Sequence, residues 1–288
     1  MQAHAAALKT LLETPKLHHV AGCADGMGAR LVAEAGLEIG FISGATVAAL
    51  RLARPDMDLL SLPEMLDAID MCTNAAPKVL WIADGDTGFG NEINVQRTVA
   101  ACAKAGAAAV LIEDKVYPKT LGHKGGKLVV DRDAARQRCR AAAEACQKAG
   151  VLLLARTDAI HSLGRDEALA RIEDFVAEGA DILFLDSPKT AEDARASVQA
   201  AAGKPSVAVT IAGAKHYMPP ISEVEALGYR INIHPADLVS ASVYAMRQAL
   251  AGLTGSPKPQ IGQPAEYDIA IRRAEYLEDD ARWAPRKP

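Results

Sequence analysis

The sequence predicts an α/β fold, a parallel (β/α)8 TIM barrel with an extra C-terminal helix. Three observations carry that expectation. Short apolar runs alternate with helical stretches eight times along the chain. Each run has the length and the Val/Ile/Leu content of a strand buried on both faces. Several runs end in charged residues, the place where barrels of this kind keep their chemistry.

The elements follow in order. Leu8 to Leu12 belongs to an opening helix, and His18–Cys23 reads as the first strand. Asp25-Gly-Met-Gly starts the next helix, carried by Ala29 to Ala35. Ile39–Ala45 is the second strand, ending in a small-residue turn. Ser61, Pro63 and Glu64 form a capping-type helix start, and that helix runs to about Ala75. Val79 to Ala83 is the third strand. Val95, Val99 and Cys102 then share one helical face up to about Ala105. Ala109 to Ile112 is the fourth strand, followed by a long loop from Lys115 to Val130. Asp131 to Ala149 is helix, stopped by Gly150. Val151–Ala155, Ile182–Leu185, Ser206–Thr210 and Arg230–His234 are strands five to eight. Between them lie helices over Asp166–Glu178, Thr190–Ala201 and Ile221–Leu227, and Ala236 to Leu253 closes the barrel.

Residues 1–253 thus form the expected catalytic barrel. Thr254 to Pro264, rich in Gly and Pro, reads as a linker. Glu266 to Trp283 reads as a further helix, which needs its own subunit or another to pack on.

Bulk properties narrow the function. The chain has 288 residues, usual for one barrel, with 50% hydrophobic and only 4% aromatic residues, so Ala, Val, Leu and Ile must build the core. A net charge of −4 without a basic block argues against a nucleic-acid or membrane-surface partner. No apolar run has the length of a bilayer span. The N-terminus lacks the apolar centre of a secretory signal. The five cysteines show neither metal-ligand nor redox spacing, as expected of reduced thiols in a cytoplasm.

The candidate site begins in Val79-Leu-Trp-Ile-Ala-Asp-Gly-Asp-Thr-Gly-Phe-Gly-Asn91. A buried strand ending in Asp84 and Asp86 with a glycine-rich turn can offer oxygens to a hard divalent cation. Alone, Asp86-Thr-Gly also reads as a turn with a helix cap. The next strand changes the balance, because it ends in Glu113 and Asp114 on the same side. The other strand ends add Ser43-Gly44-Ala45, Arg156, Asp186, Thr210 and His234. The set has several acids, one well-placed cation and no nucleophile–base pair. It fits a small anion held on a divalent metal.

These residues resemble a known superfamily. Asp84-Gly-Asp-Thr-Gly-Phe-Gly-Asn91, Ile112-Glu-Asp-Lys115 with Pro118-Lys119, and Ala155-Arg-Thr-Asp-Ala159 are similar to the isocitrate lyase/phosphoenolpyruvate mutase superfamily. The narrower likeness is to its short methylisocitrate lyase-like and oxaloacetate decarboxylase-like members, from about Val20 to Leu253. The resemblance implies Mg²⁺, with Mn²⁺ as the alternative, on Asp84, with Asp86 and Glu113 acting partly through water and Asp56 nearby. It implies that Ser43, Gly44 and Ala45 bind the carboxylate and keto oxygen of a 2-oxo acid, and that Arg156 is the substrate-binding arginine. Thr210 and His234 are expected at the substrate, and Lys119 and His123 in the loop over it. It further implies a homotetramer, a dimer of dimers, with C-terminal helices swapped between subunits.

The chain departs from the lyase pattern in three places. The lyases carry a general acid–base Cys in the loop, the mutases an Asn; Lys119-Thr-Leu-Gly-His123 has Leu121 there, which can do neither job. On strand seven the lyases have Asn-Met, whereas this chain has Val209-Thr-Ile-Ala-Gly213, and strand six ends in Asp186-Ser-Pro188. The pyruvate-binding half is intact and the other half is stripped. The expected reaction is therefore oxaloacetate-type decarboxylation, with His123 or water returning the proton. A methylisocitrate- or dimethylmalate-type lyase comes next, then a phosphonate mutase or phosphonopyruvate hydrolase. A 2-oxo acid-binding relic without turnover is the non-enzyme alternative.

Overall fold

The computed structural model describes residues 1–119, 127–211, 217, 219–255, 257 and 264–283. The strands are β1 (His18–Cys23), β2 (Ile39–Ile42), β3 (Leu80–Asp84), β4 (Ala109–Glu113), β5 (Leu152–Thr157), β6 (Ile182–Leu185), β7 (Val207–Val209) and β8 (Ile231–His234). The helices are α1 (Ala3–Glu13), α2 (Gly26–Glu34), α3 (Gly44–Leu52), α4 (Leu62–Ala75), α5 (Glu92–Lys104) and α6 (Arg132–Ala149). They continue as α7 (Arg165–Ala177), α8 (Ala191–Ala200), α9 (Ile221–Val224), α10 (Asp237–Leu253), α11 (Pro264–Ala270) and α12 (Arg273–Trp283).

All strand pairs are parallel, in the order β6-β5-β4-β3-β2-β1-β8-β7. A single parallel bridge, Leu183 to Ser206, joins β6 to the chain entering β7 and nearly closes the barrel. Side chains alternate across each strand. The inward set, including Ile39, Ile82, Leu111, Leu154, Ile231 and Ile233, forms one cluster with Ala5, Leu8 and Leu12 of α1. Burying each such aliphatic side chain contributes roughly 1.5–3 kcal/mol. The outward set packs under the helices in a second cluster. There Trp81 donates its indole N–H to Ala76 O at 3.1 Å, and a Cβ on Gly40 would run into its ring.

Local signals in the sequence explain the helix ends. Asp25 accepts from Gly28 N–H at 2.7 Å, Asp131 from Ala134 N–H at 2.9 Å and Thr190 from Asp193 N–H at 3.1 Å. Gly150 ends α6 with a left-handed φ of 74°. Two helices differ from expectation. The small-residue turn after β2 is the start of α3, capped by the Ser43 hydroxyl, because Ala, Val and Leu after it continue a helix. The helix expected over Glu266 to Trp283 breaks into α11 and α12 at Ile271-Arg272, where Arg272 has a positive φ.

The chain divides into two compact units, Met1–Leu238 and Val239–Pro288. All eight strands lie in the first. The second holds nearly all of α10, which buries none of its residues, and the helices α11 and α12. No helix among the described residues is long and apolar enough to cross a membrane.

Candidate active site

The inward parity of the strands sets the site. Continuing it past the apolar layers brings Ser43 (after β2), Asp84 (β3), Glu113 (β4), Arg156 (β5) and Asp186 (after β6) to the C-terminal mouth. All of them but Glu113, which lies behind Lys119, line a cavity of about 400 Å³, together with Ala45, Asp56, Lys115, Lys119, Lys127 and His161. A larger cavity, about 530 Å³, lies where Leu12 of α1 meets the first residues of β5 and β6, and none of these groups reaches it.

The carboxylates converge. Asp84 accepts from Gly44 N–H and from Asp86 N–H, both at 3.0 Å. Asp84 and Asp86 both press on Gly44, where an added Cβ would lie 3.0–3.3 Å from their oxygens. Asp86 holds a φ of 50°, a strained conformation that Asp tolerates better than most residues. Glycine is required just before it, since a Cβ on Gly85 would lie 2.7 Å from Leu111 O. The cap of α5 is Asn91, accepting from Ile93 and Asn94 N–H, so Asp86 is free of that job.

One ammonium ties these acids together. Lys119 Nζ lies 2.5 Å from Asp86, 2.6 Å from Asp56, 3.5 Å from Glu113 and 3.8 Å from Asp58. Beside it, Arg156 makes a bidentate pair with Asp158 at 2.7 and 2.9 Å, and reaches Asp186 at 3.2 Å and Glu113 at 3.4 Å. Its guanidinium also stacks 5.1 Å from the centre of the Phe184 ring. Lys115 pairs with Glu113 at 3.2 Å, and Lys127 with Asp158 at 2.8 Å and with Asp186.

Seven carboxylates (Asp56, Asp58, Asp84, Asp86, Glu113, Asp158, Asp186) thus face four cations (Lys115, Lys119, Lys127, Arg156). Among the described residues negative charge is thus in excess, and the carboxyl groups are shifted in both directions. Burial pushes Asp84 and Asp86 above the usual carboxylate range; Lys119 opposes this in both, while mutual repulsion adds to it in Asp86. Burial also acts on Glu113 and Asp56, but the neighbouring cations, Lys115 first for Glu113 and Lys119 for Asp56, outweigh it and hold both below that range.

This donor set fits a hard divalent cation in its chemistry: every donor is a carboxylate oxygen, and buried Glu113 Oε1 has no hydrogen-bond partner. Among the described residues, no three such side chains enclose an ion as they stand, because the acids face the Lys119 ammonium. The fit lies in the donors and the unbalanced charge, not in a finished cage.

The opposite wall is apolar. Phe184, Val209, Ile211, Ile233 and Pro235 line it, with Phe41 deeper in the cavity. The same parity turns Thr210, Asn232 and His234 outward. Thr210 donates to Asn232 Oδ1 at 3.1 Å, and His234 Nε2 lies 3.4 Å from Asn232 Nδ2 and 3.2 Å from His19 Nδ1. His234 Nδ1 is 3.3 Å from Asp237.

The residues expected from the sequence therefore sort into groups. Ser43, Ala45, Asp56, Asp84, Lys119 and Arg156 line the cavity, and Asp86 and Glu113 reach Lys119 from behind it. Gly44 contributes its N–H to Asp84. Thr210 and His234 are corrected: they form an outer polar chain one residue out of register with the cavity wall. His123 and Leu121 lie outside the described residues. Lys127 and Asp158 were not among the expected site residues, and of the apolar wall only Val209 on the stripped strand seven was singled out. Strand alternation would have found Ile211 and Pro235; Lys127 comes from a loop, where no period operates.

Comparison with known proteins agrees with this fold. The family model described as phosphoenolpyruvate phosphomutase matches residues 8–254. The 2,3-dimethylmalate lyase of Eubacterium barkeri is 35% identical over 272 residues, covering 94% of this chain and 92% of that protein. The solved structure of oxaloacetate acetylhydrolase with the inhibitor 3,3-difluorooxalacetate superposes with a TM-score of 0.91 at 32% identity, covering 99% of each chain. Phosphonopyruvate hydrolase, solved with oxalate and Mg²⁺, gives a TM-score of 0.85 at 26% identity, covering 99% of this chain and 100% of that one. The chain is a member of the isocitrate lyase/phosphoenolpyruvate mutase superfamily of lyases and mutases.

Proposed function

We propose that the protein cleaves a carbon–carbon bond of a small 2-oxo or 2-hydroxy acid, at the carbon next to the 2-oxo group or beside the hydroxyl-bearing carbon, through an enolate of pyruvate or a related species. Oxaloacetate-type decarboxylation is the reading we favour. The observation that carries it is the split cavity: charged groups for one carboxylate and its neighbouring oxygen on one side and, among the described residues, an apolar wall of Phe184, Val209, Ile211, Ile233 and Pro235 on the other. Loss of CO₂ needs no protein donor on that second side. A carboxylate held against Phe184, Val209 and Ile233 is poorly solvated, which favours its departure as a neutral molecule.

Mg²⁺, or Mn²⁺ in its place, would be held by Asp84 with Asp86 and Glu113, and Asp56 beside them. A bound divalent cation supplies Lewis-acid stabilisation of the enolate charge, worth several kcal/mol. Arg156, locked by Asp158, presents fixed positive charge to the substrate carboxylate. Ser43, Gly44 and Ala45, at the start of α3, are the residues we assign to that carboxylate and its keto oxygen. Lys119 and His123 are the groups we assign to the loop side, with His123 or water returning the proton. The apolar wall also favours a second reading, cleavage of an alkyl-substituted malate, in which that wall receives the alkyl group.

The barrel and the extension beyond Leu253 are proposed to assemble as a homotetramer with C-terminal helices exchanged between subunits. The exposed Tyr244, Met246 and Leu250 of α10, and Tyr267, Ile269 and Tyr276 beyond it, support this. Sedimentation of the full chain tests it. The activity is tested by screening 2-oxo and 2-hydroxy acids, oxaloacetate, 2,3-dimethylmalate and phosphonopyruvate included, with Mg²⁺ or with EDTA. Turnover of oxaloacetate that EDTA abolishes is the expected result. Binding without turnover of any acid in the screen would leave only a 2-oxo acid receptor.

A further inference from the structure

Two buried guanidinium groups lie outside the cavity, behind the loop between β4 and α6. The described arms of that loop pair antiparallel: Lys115 bridges Val129, and Val116 N–H donates to Leu128 O at 3.0 Å. Its lysines Lys115, Lys119 and Lys127 enter the carboxylate cluster. Behind the outgoing arm, Arg138 of α6 donates through Nη1 to Glu113 O at 3.0 Å and Lys115 O at 2.7 Å. Behind the returning arm, Arg171 of α7 donates to Val130 O at 2.9 Å and pairs with Asp114 at 3.0 Å. Asp114 also accepts from the Thr157 hydroxyl at 2.6 Å and from Asp158 N–H at 3.0 Å.

Arg138 is 8% exposed and Arg171 1%. Desolvating a cation costs several kcal/mol, and an apolar side chain of similar volume would seal a helix against a barrel at least as well. A guanidinium adds what an apolar chain cannot: a rigid fan of donors that grips two acceptors at once. The acceptors gripped here are the two roots of one loop.

We propose that Arg138 and Arg171 are positioning residues that fix both roots of the 115–130 loop and thereby hold Lys115, Lys119 and Lys127 against the carboxylates. Through Asp114, Arg171 also sets the end of β5, where Asp158 locks Arg156. The structural part stands on geometry alone; its consequence for turnover rests on the cavity being catalytic, as proposed above.

Limited trypsin digestion of the native full-length chain tests the structural part without any substrate. Arg138→Met and Arg171→Lys are each expected to speed cleavage after Lys119 and Lys127 about tenfold, with cleavage after the exposed, distant Lys78 unchanged. Unchanged cleavage in the arms overturns the proposal, and so does a rise matched at Lys78, which would make the arginines general supports. Should Arg138→Met fail to fold, Arg138→Lys, which keeps the charge but not the fork, carries the same comparison. On the acid turned over in the screen, kcat is expected to fall more than KM rises, with partial recovery in Arg138→Lys relative to Arg138→Met. If no acid is turned over, the proposed function fails while the digestion still decides this proposal.

Discussion

The two walls of the cavity come from the same fold yet differ in almost every physical respect. The arc from β3 to β6 turns Asp84, Glu113, Arg156 and Asp186 inward, with Arg156 paired to Glu113 and Asp186 and with Asp84 held by backbone N–H groups. The arc of β7 and β8 turns Val209, Ile211, Ile233 and Pro235 inward, and sends its polar residues Thr210, Asn232 and His234 outside. One arc is built to hold charge and the other to exclude it. Under the proposed function the difference puts substrate choice on the second arc, since the first arc would take a small carboxylate whatever else the molecule carries.

The largest effect is expected from the charged arc. Asp84→Ala should lower turnover by on the order of 10³-fold in the presence of Mg²⁺, judged by the losses seen when preorganised transition-state charge is removed. Retained turnover would remove the metal-assisted mechanism. Next, Arg156→Lys keeps the charge but loses the bidentate hold of Asp158, and kcat/KM should fall about 10²-fold. Equal activity would mean that only net charge matters on that wall.

The apolar arc predicts a smaller, directional change. Val209→Asn should shift the kcat/KM ratio of oxaloacetate or an alkyl malate to a bulkier tricarboxylate by about tenfold toward the latter. A ratio that does not move would show that the wall does not read the substrate. The smallest effect concerns the rim. Burial first, then Lys127, holds His161 below its ordinary value of 6.5, against Asp186 and Asp158. The unfolded chain then binds its proton at higher pH than the folded one, so this stability is complete above 6.5 and is lost as pH falls from there towards the folded value. Calorimetry between pH 7 and 5 should show a Tm decline that is smaller in His161→Asn than in the parent chain.

Much of the charged arc was legible beforehand, because an apolar run ending in Asp or Glu marks both a strand and its chemical end. The apolar arc was misread by one residue. Thr210 and His234 drew notice as polar groups at strand ends, but a strand of period two puts them on the face opposite Val209 and Ile233. Lys119 was expected to meet the substrate; its place amid four carboxylates needs long-range contacts that local pattern does not encode. Arg138 and Arg171 sit on two different helices where no local pattern singles them out, and only their burial does so.

By itself the sequence determined the barrel, its strand count and the acids at its mouth, because periodicity and residue type act over a few neighbouring residues. The tertiary structure alone decided which polar side chains share the cavity, which ammonium neutralises which acid, and which arginines anchor the loop. Those outcomes depend on parity and distance between strands far apart in the chain, where a shift of one residue exchanges inside for outside.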